Sequence, residues 1–315
     1  MLPNDLTRVA GVITSVPQTP LSHVNLKAKQ NNLPNCYVKD AVLHPAIAPL
    51  IGKNVRYETL PDGFTLREAT PEEVEQHINS LRPPNPQFPA RDLTKTTIQR
   101  LSALGFVSAN SYGAKASNVA ELRKFLPAGM VPDGYGVPYY FYDEFMKANG
   151  LYAVAQDMMA DPPFATDPFY RELMLRNFRN IIKASPIPQA LRDALATVQA
   201  QFPAGFGIRC RSSANAEDLP SFNGAGLYDS FTHRPDEGHL EKSIKQVWAS
   251  LWNLRAFDER EFARVDHLTS AMGVLLHPNF DDELANGVGV TKNLIDPNWT
   301  GYYVNAQLGE SLVTN

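Results

Sequence analysis

The amino-acid sequence predicts a mixed α/β protein built from two domains, and three observations lead to this prediction. The chain has 315 residues, about twice the ~150 residues that one domain usually takes. Apolar residues make up 43% of the chain and charged residues 20%, which is typical of soluble globular proteins and excludes long disorder. Strand-like runs and helix-like segments alternate along the chain, and a proline-rich stretch divides them into two groups.

The first 80 residues are predicted to form a small α/β domain. A helix is expected over residues 23–30. The strand-like runs around it lie at residues 9–14, 36–38, 54–59 and 63–67. The sequence LRPPNPQFP follows at residues 81–89, and because proline fixes φ and lacks a backbone donor, this segment favours an extended conformation. We therefore expect a semi-rigid linker over residues 81–97.

A larger domain is predicted over residues 98–315. Helical spacing of apolar residues occurs at 114–126, 167–182 and 188–202, and in a long amphipathic segment at 240–262. Strands are expected at 207–211, 272–276 and 287–290. The mixture of both element types makes this domain α/β as well.

Charge and cysteine content exclude several classes of protein. Lysine and arginine number 29 against 33 acidic residues, a net charge of −4, so we predict no nucleic-acid and no membrane partner. Cys36 and Cys210 stand alone, which leaves no disulfide framework and no zinc motif. No apolar run approaches the ~18 residues of a membrane span, and the N-terminus does not look like a signal peptide. We therefore predict a cytoplasmic protein; its oligomeric state is left open.

His23 is the first candidate for chemistry. Ser22 is a good N-cap, and Lys27 with Lys29 suits the C-terminal end of a short helix, so His23 is expected in the first helical turn. A helix N-terminus keeps histidine neutral, and its free backbone N–H groups can hold a phosphate. This position suits a phosphohistidine. The alternative is an ordinary surface or capping histidine.

Two arginines are the second candidate. In a strand, Ile208 and Cys210 would point to the core while Arg209 and Arg211 share the opposite face. Two guanidinium groups on one face could bind a polyphosphate. The segment at residues 221–226 has small residues and two glycines and no branched aliphatic residue. We therefore expect a mobile loop there rather than a strand, and the backbone amides of this loop could cover phosphates.

A plainer interpretation of the same segment stays open at this point. The two arginines could form ion pairs with Glu217 or Asp218, and the glycine-containing loop could be an ordinary turn.

Four segments resemble a known family. RSSANAEDLPSFNGAGLYDSF at residues 211–231, followed by VWASLWNLRAF at 247–257, resembles the nucleotide-binding domain of the dikinases, which include phosphoenolpyruvate synthase, pyruvate phosphate dikinase and glucan, water dikinase. SYGAKASNVAELRKF at 111–125 resembles the opening of that domain. TSVPQTPLSHVNLKAKQNNLPN at 14–35 is similar to the mobile phosphohistidine domain.

The resemblance implies a fold, a reaction and a set of site residues. The fold would be a swivelling β/β/α phosphohistidine domain at 1–80 joined to an ATP-grasp nucleotide-binding domain. ATP, with Mg²⁺, would phosphorylate His23, which would pass the phosphoryl group to an acceptor. The implied ATP-binding residues are Lys115, Arg209, Arg211, Gly226, Ser230 and His277. The order of the two domains is that of glucan, water dikinase.

The sequence also departs from the family pattern. Pro17 and Gln18 stand where the family often has two glycines, and His277 stands where a glutamine commonly meets adenine. The family's metal ligands near the end of the nucleotide domain are not found before residue 315, so we expect a fragment of a longer protein. The alternative function is a catalytically incomplete nucleotide-binding or regulatory module. The acceptor is left open among pyruvate, a glucan, water and a small-molecule drug.

Overall fold

The structure, a computed structural model, describes residues 9–18, 23–30, 32–219, 222–224, 226–280, 283–293 and 298–309. The described residues fall into two compact units. The smaller unit combines parts of Met1–Arg82 and Asp281–Asn315, and the larger unit is formed within Pro83–Phe280. Both contain helices and strands, which confirms the predicted mixed α/β class.

The smaller unit contains three two-stranded sheets and two α-helices among its described residues. Its strands are β1 Val12–Thr14, β2 Asn35–Tyr37, β3 Val55–Leu60, β4 Gly63–Glu68, β12 Ala285–Val290 and β13 Tyr303–Leu308. β1 and β2 are parallel, whereas β3 with β4 and β12 with β13 form antiparallel hairpins. Its helices are α1 His23–Gln30 and α2 Pro71–Leu81. The predictions of α1 and of all these strands except β13 are confirmed.

Helix α2 was not predicted, although its start has a local signal. The Thr70 side chain accepts from the Glu73 backbone N–H, and the Glu73 carboxylate accepts from the Thr70 N–H, at 3.3 and 3.1 Å. This reciprocal capping box, with Pro71 at the first helical position, satisfies two backbone donors that the first turn otherwise leaves free.

The larger unit is built on one sheet in the order β10-β7-β11-β6-β5. These strands are β5 Gln99–Arg100, β6 Tyr135–Val137, β7 Ile208–Ala214, β10 Phe231–His233 and β11 Met272–Pro278, and a small hairpin pairs β8 Asp218–Leu219 with β9 Phe222–Asn223. The helices are α3 Ala109–Tyr112, α4 Ala114–Phe125, α5 Tyr139–Ala148, α6 Leu151–Ala160, α7 Pro162–Thr166, α8 Pro168–Ala184, α9 Gln189–Gln199, α10 Glu241–Ser250 and α11 Leu254–Phe262.

The two faces of this sheet bury different clusters. On one face Ile208, Cys210 and Leu276 join a large core with the fully buried Trp248 and Trp252. On the other face Leu275 packs in a smaller cluster with residues of α3 and α4. Because side chains alternate along a strand, the second face is free to present polar residues wherever α3 and α4 do not cover it.

The prediction of one long helix over residues 240–262 is wrong. The structure has two helices, α10 and α11, separated at Asn253, whose backbone is extended with φ −61° and ψ 141°. Asn253 precedes α11 as its N-cap, a position that asparagine favours, and its side-chain amide donates to the Asp229 carboxylate at 2.9 Å. The predicted apolar face is nevertheless buried, because Ile244, Val247 and Leu251 are fully inaccessible.

The proline-rich segment is attached to the larger unit. The Gln87 backbone N–H donates to the Arg264 carbonyl at 2.8 Å, and the Asp266 N–H donates to the Gln87 carbonyl at 2.9 Å. The Arg264 guanidinium donates to the Pro84 carbonyl at 2.9 Å. Residues from Pro84 onward are therefore held in place; the linker at 81–97 and the other domain boundaries stay predictions.

Asp143 anchors the end of this segment inside the larger unit. Its fully buried carboxylate accepts from Tyr152 at 2.8 Å and forms ion pairs with Arg91 at 3.3 Å and Lys147 at 2.6 Å. Arg91 in turn donates to the Leu268 carbonyl at 3.2 Å. One buried carboxylate thus holds three donors in place.

Replacing Asp143 with alanine is expected to lower the free energy of unfolding by about 3 kcal/mol, because Arg91 and Tyr152 lose their acceptor in a buried setting. Urea unfolding followed by circular dichroism measures this loss. Glu144→Ala is the matched control on the same helix, since Glu144 only approaches Lys147 at 3.8 Å near the surface and should matter by less than about 0.5 kcal/mol. Equal losses in the two variants would contradict the anchoring role of Asp143.

Candidate functional site

Three neighbouring strands bring Arg209 into a row of polar side chains. In the antiparallel pairing Arg209 lies opposite Thr232 of β10 on one side and opposite His277 of β11 on the other. Directly opposed residues share a face of the sheet, so the three side chains form one row. Arg211, two residues on, lies on the same face opposite Leu275. The predicted shared face of the two arginines is confirmed.

These arginines carry charge that no described carboxylate balances. Arg209 donates from Nη1 to the Thr232 hydroxyl at 2.9 Å, and neither Arg209 nor Arg211 forms an ion pair within the described part of the chain. Burial, followed by repulsion from Arg211, lowers the pKa of Arg209. The alternative of an ion pair with Glu217 is wrong, and the Asp218 side chain lies outside the described residues.

His277 presents a buried acceptor beside the two arginines. Its Nδ1 lies 2.8 Å from the Pro278 carbonyl, and because a carbonyl only accepts, this ring nitrogen carries the proton. Burial lowers the pKa of His277, and the Arg211 and Arg209 charges add to this effect against the hydrogen bond to Pro278. The ring is therefore neutral, and its buried Nε2 has no partner among the described atoms.

Lys115 lies in the first turn of α4, and its contacts are with Ser212, the residue after Arg211, and with Glu217. Its ammonium forms an ion pair with Glu217 and lies 3.4 Å from the Ser212 hydroxyl. The Glu217 side chain is only 6% exposed, whereas the Lys115 side chain is 33% exposed. The lysine thus keeps access to solvent while its partner is almost entirely buried.

Gly113 allows α4 to come this close to the sheet. Its φ is +87°, a conformation that residues with a side chain rarely adopt, and a Cβ there would overlap the Ser213 carbonyl and hydroxyl. The Ser213 hydroxyl also accepts from the Ala116 N–H at 3.3 Å. The turn predicted before the helix is therefore what fixes Lys115 next to β7.

The loop after Glu217 differs in part from its prediction. Phe222–Asn223 forms strand β9, paired with β8, so the expectation of no fixed strand in residues 221–226 is wrong there. The Gly224 N–H donates to the Glu217 carbonyl at 2.8 Å. Gly226 is exposed with φ +74°, and Ser230 directly precedes β10, one residue before the Phe231–Cys210 pair. Loop mobility stays a prediction.

His23 is the first residue of α1, as predicted, in the smaller unit. Its side chain and Ser22 lie outside the described residues. The other candidates, Lys115, Arg209, Arg211, Gly226, Ser230 and His277, all lie in the larger unit.

Two residues of the site were missed or assigned another role. Thr232, the hydroxyl partner of Arg209, was not singled out, although it lies directly opposite Arg209 in the strand pairing. Glu217 was considered only as a partner of the arginines, whereas it pairs with Lys115.

Among the described residues, no three or more His, Cys, Asp or Glu side chains cluster as metal ligands would. None of the described helices combines the length and apolar character of a membrane crossing.

Comparison with known proteins gives the family. The family model for the pyruvate phosphate dikinase AMP/ATP-binding domain matches residues 109–315, and the chain belongs to this family. The matched region contains each of the candidate residues of the larger unit. The resemblance of the segments at residues 111–125, 211–231 and 247–257 is thereby confirmed, and the matched model is that of an AMP/ATP-binding domain. The resemblance at residues 14–35 stays a prediction.

Several curated relatives are similar to part of this chain. Phosphoenolpyruvate synthase of Aeropyrum pernix is 28% identical over 52% of this chain and 20% of its own length. Probable phosphoenolpyruvate synthase of Methanothermobacter thermautotrophicus is 27% identical over 64% of this chain and 30% of its own. Rifampicin phosphotransferase of Bacillus cereus is 28% identical over 64% of this chain and 23% of its own length. The chain thus spans less than a third of the length of these relatives.

Gly113→Ala is expected to destabilise the protein more than Gly129→Ala, which is a matched control. Both glycines have positive φ, +87° and +90°, but an added Cβ meets nothing within 4 Å at Gly129. Strain alone should cost about 1–2 kcal/mol in unfolding free energy, and overlap with Ser213 should add about 1–3 kcal/mol at Gly113. Urea unfolding compares the two variants, and equal costs would show that the close approach of α4 to β7 is unimportant.

Proposed function

We propose that the larger unit binds ATP on the sheet face that carries Arg209 and Arg211, within an ATP-grasp fold. The observation that carries this proposal is the unbalanced charge of the two guanidinium groups, which lie beside the neutral His277. Uncompensated positive charge on a partly buried face is unfavourable without an anion, and a polyphosphate supplies one.

Each group has a distinct part in this proposal. Lys115 supplies a compact charge, and Arg211 supplies a planar fork that matches two phosphate oxygens. Gly226 and Ser230 offer backbone and hydroxyl donors from the adjoining loop. The neutral His277, with Nε2 as an acceptor, is suited to the amino group of adenine. We include Mg²⁺ as the counter-ion of the ATP phosphates, because Mg²⁺ typically binds substrate phosphates and keeps several waters.

The reaction that we propose is a phosphohistidine relay of the dikinase type. ATP phosphorylates His23 of a swivelling domain, and the histidine passes the phosphoryl group to an acceptor. The position of His23 at the start of α1 supports this role, because the first turn of a helix offers N–H groups to a phosphate. The names of the relatives include synthesis of phosphoenolpyruvate and transfer to rifampicin, and we leave the acceptor open between such classes.

One observation favours a second function, a nucleotide-binding or regulatory module without turnover. In the structure the Lys115 ammonium is already paired with the buried Glu217 carboxylate, so phosphates would have to compete for it. Pro17 and Gln18 in place of the family's glycines point the same way. Transfer of a phosphoryl label from ATP to His23 separates the two functions, because only the dikinase becomes labelled.

Lys115→Ala and Arg211→Ala are each expected to weaken ATP binding by about tenfold to a hundredfold, because each removes a charge-assisted contact to phosphate. Isothermal titration calorimetry measures the dissociation constants. Lys124→Ala is the matched control, since Lys124 lies on the same helix and pairs with Glu121 at the surface at 2.8 Å. Unchanged affinity in both site variants, with the protein folded, would refute the site.

His23→Ala is expected to abolish a phosphoryl label taken from the β-phosphate of ATP, while ATP affinity stays within about twofold because the nucleotide site lies in the other unit. The label on the whole natural protein should be acid-labile and alkali-stable, which is the signature of a phosphoramidate. His44→Ala and His77→Ala, in the same unit, should keep the label. Acid-labile label that persists in His23→Ala would move the carrier to another histidine.

A further inference from the structure

A chain of uncharged groups holds the Arg209 guanidinium in place. Arg209 donates from Nη1 to the Thr232 hydroxyl at 2.9 Å, and that hydroxyl donates to the Asn279 side-chain oxygen at 3.0 Å. The Asn279 backbone N–H donates to the Gly207 carbonyl at 2.8 Å, next to the start of β7. Among the described contacts, the guanidinium of β7 is thus fixed by a hydroxyl of β10, which is held in turn by the side chain of the residue after β11.

Three other partly buried arginines of the larger unit are held by carboxylates. Arg171 pairs with Asp258 at 2.9 Å, Arg179 with Glu172 at 3.1 Å, and Arg91 with Asp143 at 3.3 Å. In each of these the anchor also neutralises the charge, which is the usual requirement for a guanidinium that leaves water. Arg209 is oriented without being neutralised.

We propose that Thr232 is a positioning residue for nucleotide binding, which aims the Arg209 guanidinium at a phosphate group of ATP and must be uncharged to do so. The proposal rests on the proposed function, since it gives Arg209 a phosphate to bind. A carboxylate at position 232 would hold the guanidinium at least as firmly, because charge-assisted hydrogen bonds are the stronger ones. It would also cancel the charge and repel the phosphate.

Charge and shape can be separated at this position by two variants of nearly equal size. Thr232→Asn keeps a neutral acceptor, and Thr232→Asp puts a carboxylate in the same place. On the full chain, calorimetry with MgATP is expected to give a dissociation constant within about threefold of the parent for Thr232→Asn. Thr232→Asp should weaken binding by about a hundredfold, at least as much as Arg209→Ala.

Two further variants test the hydroxyl itself. Thr232→Ser keeps the hydroxyl and should bind ATP normally, whereas Thr232→Val keeps the shape, loses the acceptor and should weaken binding by about tenfold. In an Arg209→Ala background Thr232→Val should have no further effect, because the two residues then act through one interaction. Circular dichroism and thermal unfolding establish that each variant is folded.

The outcomes distinguish this proposal from the one on which it rests. If Arg209→Ala leaves ATP affinity unchanged, the assignment of Arg209 to the nucleotide site is refuted. If Arg209→Ala weakens binding but Thr232→Asp and Thr232→Asn bind alike, the site stands and the positioning role of Thr232 is overturned. Should Thr232→Asp fail to fold, the pair Thr232→Val and Thr232→Ser decides, and equal affinities of those two would also overturn it.

Discussion

The antiparallel pairing of β7 with β11 is the constraint on which the larger unit depends. It runs without interruption from the Met272–Ala214 pair to the Pro278–Ile208 pair. One register therefore decides two things at once: which residues enter the large helical core and which form the row around Arg209. A slip of one residue would put the arginines into that core and the apolar residues on the candidate site. A change of register in this strand pair would therefore disrupt the core and the candidate site at the same time.

Charge compensation differs between Arg209 and several other cations of the larger unit. Arg171 is paired with Asp258, and Lys147 is paired with Asp143. Near the site, Lys115 is paired with Glu217, whereas Arg209 rests on a neutral hydroxyl. In the proposed nucleotide site the lysine would have to exchange one anion for another on binding phosphate, whereas Arg209 would not. A bound anion would neutralise the charge of the two guanidinium groups directly. The positive electrostatic potential at this face is therefore a property of the protein without an anion.

Local patterns in the sequence predicted those features of the fold that depend only on residues close together in the chain. The two-residue alternation placed Arg209 and Arg211 on one face, and apolar spacing placed α1 and α4. The break at Asn253 was missed, because the apolar spacing of α10 and α11 continues across it and the Asp229 contact that accompanies it is far away in sequence. The Lys115–Glu217 pair joins residues about a hundred positions apart, and no periodicity contains it. The capping box of α2, by contrast, was readable from the sequence.

The distribution of the three tryptophans gives the protein its own optical reporters. Trp248 and Trp252 are fully inaccessible in the core of the larger unit, whereas Trp299, in the smaller unit, is 72% exposed. Indole fluorescence shifts to longer wavelength in water, so the two buried tryptophans are expected to emit at shorter wavelength than the exposed Trp299. Loss of blue emission during denaturation therefore follows the larger unit, and a quencher confined to water acts first on Trp299. The two units can be followed separately without a label.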